Sequence, residues 1–249
     1  MPSDAAPLTP TAPQRKRLDG PLYKGFVLAV TKAVRAQNYL EIGVRDCSTF
    51  GPIECASIGI DPNFAIKFNP LQRKPAVHLF QITSDDYFRD HDPRDLFGAP
   101  VDVAFLDGLH LFDFLLRDFI NTEKVCHAGS VVLLDDCLPV NIEMTERDHR
   151  PTLRKDQGVA AWWTGDVYKV VSVLREYRPD LTITPVNVAP TGSIVVTGLD
   201  PASTVLSDAY DEIIARFDTK TEPTPQEFEA YWAVNAPQTV ESALNALRR

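Results

Sequence analysis

Val131-Val132-Leu133-Leu134-Asp135-Asp136 is an uninterrupted apolar run that ends in two carboxylates. A run of this length and composition reads as a strand buried on both faces, as in a parallel sheet covered by helices. Three runs upstream repeat the pattern: Tyr39-Leu40-Glu41-Ile42-Gly43, Ile58-Gly59-Ile60-Asp61 and Val103-Ala104-Phe105-Leu106-Asp107. Ligands of open α/β sheets bind at the carboxyl ends of the strands, and that is where these acids fall. The runs therefore predict a sheet and the edge of a binding site together.

Working outward, residues 21–37 put Leu22, Phe26, Val27, Val30 and Val34 on one helical face ahead of a first strand at 38–44. Residues 45–56 leave room for only a short helix before a second strand at 57–61. A third strand is expected at 76–82, with Ser84-Asp85-Asp86 as the cap of a short helix, and a fourth at 101–107. Phe112, Leu115, Leu116, Phe119 and Ile120 repeat at helical spacing over 112–125. His127-Ala128-Gly129 reads as the glycine cap of that helix, and 130–136 as the fifth strand. The polar stretch 137–164, with Pro139 and Pro151, is long for a loop in a compact domain and is expected to be functional or mobile. A helix at 165–177 follows, then strands at 181–188 and 193–197 joined by the hairpin turn Ala189-Pro190-Thr191-Gly192. From Ala202 on, two or three helices are split by Glu222-Pro223-Thr224-Pro225. Alternation closing in a hairpin predicts an α/β fold: a doubly wound, mostly parallel seven-stranded sheet with one antiparallel strand. The organisation expected is a flexible arm at 1–18, the main domain at 19–200 and a helical extension at 201–249.

Acids outnumber bases 34 to 25, the net charge is −9, and no long Lys/Arg block occurs. That balance argues against a broad nucleic-acid-binding face and leaves a small molecule as the expected partner. No run approaches the roughly 20 apolar residues of a transmembrane helix. The Pro- and Ala-rich first 20 residues lack the apolar core of a signal peptide. Cys47, Cys55, Cys126 and Cys137 form no C-x-x-C pair and match no zinc spacing, which fits reduced thiols in a cytoplasmic protein.

From residue 39 to about 169 the chain resembles class I S-adenosylmethionine-dependent methyltransferases. Phe105-Leu106-Asp107-Gly108-Leu109-His110, the Asp135-Asp136-Cys137 strand end and Trp163-Thr164-Gly165-Asp166-Val167-Tyr168-Lys169 are similar to a bacterial branch, methyltransferase family 24. The resemblance implies S-adenosylmethionine as cofactor and an O-methyl product. Glu41 and Gly43 match the first motif, with Gly43 admitting the methionine part of the cofactor and Glu41 orienting its polar end. Arg45 and Cys47 depart from the family's fuller glycine pattern. Asp61 would accept from both ribose hydroxyls, and Ser84 or Asp85 would contact the adenine amine; a plain helix cap explains those two equally well.

Asp107 would border both the cofactor and the chemistry, where three readings stand side by side. In related metal-dependent O-methyltransferases, acids at these strand ends hold Mg²⁺, which would make Asp107, Asp135 and Asp136 ligands. Alternatively His110 is the general base, oriented by a carboxylate, with Asp107 beside it and no metal. In a third reading Asp135 or Asp136 caps a turn. Trp162 and Trp163 would either wall the acceptor or anchor the following helix. The helices after residue 201 are expected to cover the acceptor pocket or to form a homodimer interface. Two rival functions remain: a non-catalytic cofactor-binding or scaffold protein, suggested by Arg45 and Cys47, and a NAD-dependent oxidoreductase, disfavoured because no G-x-G-x-x-G follows the first strand.

Overall fold

The computed structural model describes residues 15–248; residues 1–14 of the expected arm lie outside them. The arm's remaining residues are docked, since the Lys16 N–H donates to Val140 O (2.8 Å) and Arg15 pairs with Asp156.

The elements run α1 (Tyr23–Ala33), β1 (Asn38–Ile42), β2 (Ala56–Ile60), β3 (Val77–Phe80), α2 (Ser84–Asp90), α3 (Pro93–Phe97), β4 (Val101–Leu106), α4 (Phe112–Val125) and β5 (Cys126–Asp135). They continue through α5 (Tyr168–Tyr177), β6 (Thr182–Val186), β7 (Ser193–Thr197), α6 (Val205–Asp208), α7 (Tyr210–Phe217), α8 (Pro225–Val234) and α9 (Val240–Leu247). The seven strands form one sheet in the order β3-β2-β1-β4-β5-β7-β6. Only β7 runs against its neighbours β5 and β6, which is the patterned architecture.

Strand pleating sends alternate residues to two cores. Leu40, Ile42, Ile58, Ile60, Ala104, Leu106, Val132 and Leu134 pack under the apolar faces of α4, α5 and α8. Tyr39, Val103, Phe105, Val131 and Leu133 pack on the other face, under α1 and Ala243 of α9. Each such side chain, once fully buried, contributes roughly 1.5–3 kcal/mol relative to exposure. Among the described residues no helix is long and apolar enough to cross a membrane.

Four local expectations are corrected. No helix joins β1 to β2: Arg45 and Cys47 take positive φ (45° and 65°), which breaks helical winding, and turns carrying Val44, Cys47, Phe50 and Ile53 cover the sheet there. The cap of α2 is Thr83, whose Oγ1 accepts from the Asp86 N–H (3.1 Å), so Ser84 is already helical. The His127-Ala128-Gly129 segment is not a glycine cap, because α4 ends at Val125 and β5 starts at Cys126. Four helices, not two or three, follow Ala202.

Those helices share the cores of the sheet. Phe228, Tyr231 and Trp232 of α8 are buried in the first core. The Tyr231 hydroxyl donates to Cys137 O (2.6 Å) and Trp232 Nε1 to Pro139 O (2.9 Å). This clamps the start of the 137–164 stretch, which is a sequence of short 3-10 turns around buried Val140, Met144 and Val159.

Candidate active site

Register sets the geometry of the site. Ile42 pairs with Ile60 and Leu106, and Leu106 pairs with Leu134, so four strands end level. The chain leaves β1 at Gly43, whose N–H donates to Ile60 O, while the Asp107 N–H donates to Ile42 O (both 2.9 Å). Gly43 sits at φ +92°, and a Cβ there would lie 1.8 Å from Asp107 O. Only glycine combines that conformation with so close an approach. Two cavities open over these strand ends, one of about 480 Å³ and one of about 180 Å³, and Gly43, Asp61 and Gly108 border both.

The smaller cavity is walled by Ile42, Ile60, Pro62, Leu109 and Phe114, with Asp61, Thr83, Ser84 and Asp118 as its polar groups. Asp61 is fixed by two backbone donors, Arg45 N–H to Oδ2 and Asn63 N–H to Oδ1 (2.7 Å each). Each carboxylate oxygen keeps a lone pair for a ligand. Ser84 borders the cavity, but Asp85 does not: its carboxylate is turned to the Arg117 guanidinium at 2.9–3.1 Å. Glu41 also stays away from both cavities. It lies beneath the strand ends, where the Tyr39 hydroxyl donates to its Oε2 (2.6 Å) and burial pushes its pKa up to about 8.

Asp118 is the residue that sequence reasoning missed. It is 2% exposed, and burial pushes its carboxyl up to about 7. The signal was present: Asp118 stands within the buried stripe of α4 beside Leu115 and Phe119, where a carboxylate is costly without a purpose.

The larger cavity holds the chemistry-bearing cluster. His110 Nδ1 donates to Trp163 O (2.7 Å) and lies 2.9 Å from Asp136 Oδ2, while Nε2 lies 3.3 Å from Asp107 Oδ1. Every neighbour of the ring is an acceptor. Burial opposes charge on the ring, but Asp136 and Asp107 outweigh it and hold His110 well above the ordinary histidine range. Burial pushes the Asp107 carboxyl up, and the bond from His110 recovers only part of that. His110, Asp136 and Arg45, all of which border this cavity, have positive φ (60°, 57° and 45°). Strain of about 1–3 kcal/mol per such residue concentrates at functional sites.

Asp107, His110 and Asp136 are the one group among the described residues whose metal-ligating atoms converge, all within 4.8 Å of one another. Asp135, expected as a ligand, stands outside it. Its antiparallel cross-strand partner is Ser193, whose Oγ donates to Asp135 Oδ1 (2.7 Å). Burial and the charges of Asp107 and Asp136 push Asp135 well above the carboxylate range. Asp136 leaves the strand at its positive φ, accepts from the Thr191 hydroxyl and turns toward His110.

Trp162 and Trp163 border the same cavity from the 137–164 segment. Trp163 stacks on His110 (5.3 Å, 14°) and also on His149 (5.5 Å, 6°). Arg147 latches that segment to the body through Asp113 (2.9 Å), Asp166 (2.9 Å) and Asp218 (2.8 Å). Asp166 also accepts from the Phe112 N–H at the start of α4 (2.8 Å), which gives it an anchoring role. Among the described residues none from 201–248 borders the cavity; those helices brace the segment that does.

Comparison with known proteins adds three findings. Residues 27–137 match a family model described as a methyltransferase domain, family 24. No curated protein matches the chain. Among solved structures, the chain is similar to the SAH-bound methyltransferase PaMTH1 of Podospora anserina, at 12% identity and a TM-score of 0.48 over 72% of this chain and 78% of that one. It is also similar to the O-methyltransferase TomG of Streptomyces achromogenes, solved with SAM (17% identity, TM-score 0.48, 72% and 80% covered). A third is an O-methyltransferase from Bacillus cereus in complex with SAH (15% identity, TM-score 0.41, 70% and 78% covered). Residues 27–137, the stretch that matches the methyltransferase-domain family model, carry β1 to β5 and the strand-end acids of a seven-stranded sheet in the order β3-β2-β1-β4-β5-β7-β6.

Proposed function

We propose that the chain transfers the methyl group of S-adenosylmethionine to a hydroxyl of a small molecule or sugar. One observation carries this reading: two cavities joined at Gly43, Asp61 and Gly108, with an ionisable cluster lining the larger one beside that junction. The apolar walls of the smaller cavity suit a purine. Asp61 would take the ribose hydroxyls, and Ser84 and Asp118 the adenine amine, a role for which Asp85 is badly turned. The methionine part would pass Gly43 toward Lys24, whose Nζ donates to Ser48 Oγ (2.6 Å) at the cavity wall.

In the transfer, a lone pair of the acceptor oxygen forms the new C–O bond as the C–S bond breaks. The bonding pair returns to sulfur, giving neutral S-adenosylhomocysteine, and the hydroxyl proton must leave. His110, whose ring nitrogens face acceptors that raise its affinity for a proton of its own, is poorly placed to take it. Asp107 is the better base: it borders the cavity, and burial raises its affinity for a proton. His110 and Asp136 then hold Asp107 in position, and Trp163 excludes water above them.

The same three residues fit a divalent cation such as Mg²⁺. Two carboxylates and an imidazole are a workable donor set. With Nδ1–H committed to Trp163 O, the lone pair of Nε2 faces Asp107 Oδ1 and calls for a proton or a cation between them. When bound, the ion would acidify the acceptor hydroxyl.

Incubation with deuteriomethyl-labelled S-adenosylmethionine and a panel of hydroxyl and amine compounds, read by mass spectrometry, tests the proposal. Label on oxygen is expected. Label confined to nitrogen refutes the O-methyl assignment, and no label despite tight cofactor binding favours the scaffold reading. Loss of turnover in EDTA, restored by Mg²⁺ or Mn²⁺, would establish the metal form. Turnover indifferent to EDTA but lost in Asp107→Asn would establish the proton relay.

A further inference from the structure

Arg45 is not used by any step above, yet its conformation is costly. It occupies φ +45°, and glycine would hold that conformation with less strain than arginine. Its backbone is locked from both sides: the N–H donates to Asp61 Oδ2 (2.7 Å) and the carbonyl accepts from the Ala65 N–H (2.8 Å). The N–H groups of Lys67 and Phe68 in turn donate to Asp46 O (3.1 Å each), which ties the 65–68 segment to the turn carrying Arg45. Arg45 and Lys67 thus stand on turns tied to each other by backbone bonds; both are exposed, and both border the larger cavity.

Neither side chain has a carboxylate within ion-pair distance among the described residues, although the chain carries 34 acids to 25 bases. The acids of the cavity are committed elsewhere. Asp61 accepts the two backbone N–H groups, and Asp107 and Asp136 flank His110. Asp46 accepts from the Ser48 N–H (2.9 Å) and is one acid near both Lys24 and Lys67. No carboxylate lies within ion-pair distance of the Arg45 guanidinium or the Lys67 ammonium among the described residues, so both keep their donors for a ligand. The cofactor's single carboxylate has Lys24, which Ser48 already orients. Arg45 and Lys67 exceed what the cofactor needs.

We propose that Arg45 and Lys67 form an anion subsite at the wall of the larger cavity, so that the acceptor is a hydroxyl compound bearing a carboxylate or a phosphate. The inference rests on the methyltransferase reading. An arginine fork pairs with either anion through two parallel N–H bonds, and lysine adds a point charge. A tethered anion would hold the hydroxyl toward Asp107 and lower the entropy cost of alignment.

The test measures binding of matched probes to the protein saturated with S-adenosylhomocysteine: glucose, glucuronate and glucose 6-phosphate, then 3,4-dihydroxybenzyl alcohol and 3,4-dihydroxybenzoate. At least one anionic member is expected to bind about tenfold more tightly than its neutral twin, and which one does so separates carboxylate from phosphate. In Arg45→Gly, which relieves backbone strain, the melting temperature should hold or rise while the anion preference falls about tenfold. Arg45→Gly/Lys67→Gln should abolish the preference, with affinity for S-adenosylhomocysteine kept within about twofold. Equal binding of neutral and anionic twins overturns the proposal, as does parallel loss of S-adenosylhomocysteine affinity, which would assign the two cations to the cofactor. Wild-type protein that binds no S-adenosylhomocysteine overturns the methyltransferase reading instead. The probes are then titrated alone, and loss of anion preference in Arg45→Gly still decides the subsite.

Discussion

Gly43→Ala probes the contact on which the site is built. The backbone at φ +92° costs a residue with a Cβ about 1–2 kcal/mol. The added carbon would stand 1.8 Å from Asp107 O and 2.5 Å from its carbonyl carbon, and both atoms are backbone, so strand ends must move apart. Forced displacement of this kind typically costs about 1–3 kcal/mol. A destabilisation of about 3 kcal/mol is therefore expected, which in a domain of this size lowers the melting temperature by roughly 6–12 °C. The displaced residue is Asp107 itself, so affinity for S-adenosylhomocysteine should fall at least tenfold as well. Gly98→Ala is the control: φ is +68° but no atom lies within 4 Å of the added Cβ, so only the conformational cost of about 1 kcal/mol applies. Thermal denaturation followed by circular dichroism, with calorimetry for the ligand, reads both. If Gly43→Ala melts no lower than Gly98→Ala and binds normally, the argument from close approach is wrong.

Three further outcomes follow from named contacts. Arg147→Ala leaves buried Asp166 without its guanidinium and unlatches the segment carrying Trp163; a loss of about 3 kcal/mol is expected, visible as a lower melting temperature and a redder tryptophan emission. Glu41→Gln should keep S-adenosylhomocysteine affinity within about twofold, whereas Asp61→Ala should lose most of it; the reverse order would return Glu41 to the cofactor site. Asp118, with its folded pKa raised to about 7, holds its proton where the unfolded chain, at about 4, has lost it. Unliganded wild type should therefore lose stability as pH rises from about 4 to about 7 and level off above, and Asp118→Asn should flatten that slope; an unchanged slope would remove Asp118 from the account.

Much of this arrangement was legible in the sequence because strand burial and strand-end chemistry are local. The apolar runs ending at Glu41, Asp61, Asp107 and Asp135-Asp136 marked four of the seven strands, and the hairpin turn after them marked the antiparallel strand. What stayed illegible depends on partners far along the chain. Asp135 looked like a natural companion to Asp107, but Ser193 claims it across the antiparallel pair, 58 residues away. Glu41 and Asp85 matched a motif, yet Tyr39 and Arg117 direct their carboxylates away from the cavities. Asp118 was hidden inside an amphipathic stripe whose aromatics drew attention to packing. The 137–164 stretch read as a polar loop because its order comes from Arg147, Arg154 and the side chains of α8, none of which leaves a periodic signal.

Calorimetric titration of the wild-type protein with S-adenosylhomocysteine, set against NAD, tests the central claim most directly. The account predicts one saturable site for S-adenosylhomocysteine, lost in Asp61→Ala, and no binding of NAD. Binding of NAD without S-adenosylhomocysteine, or of neither, would contradict it.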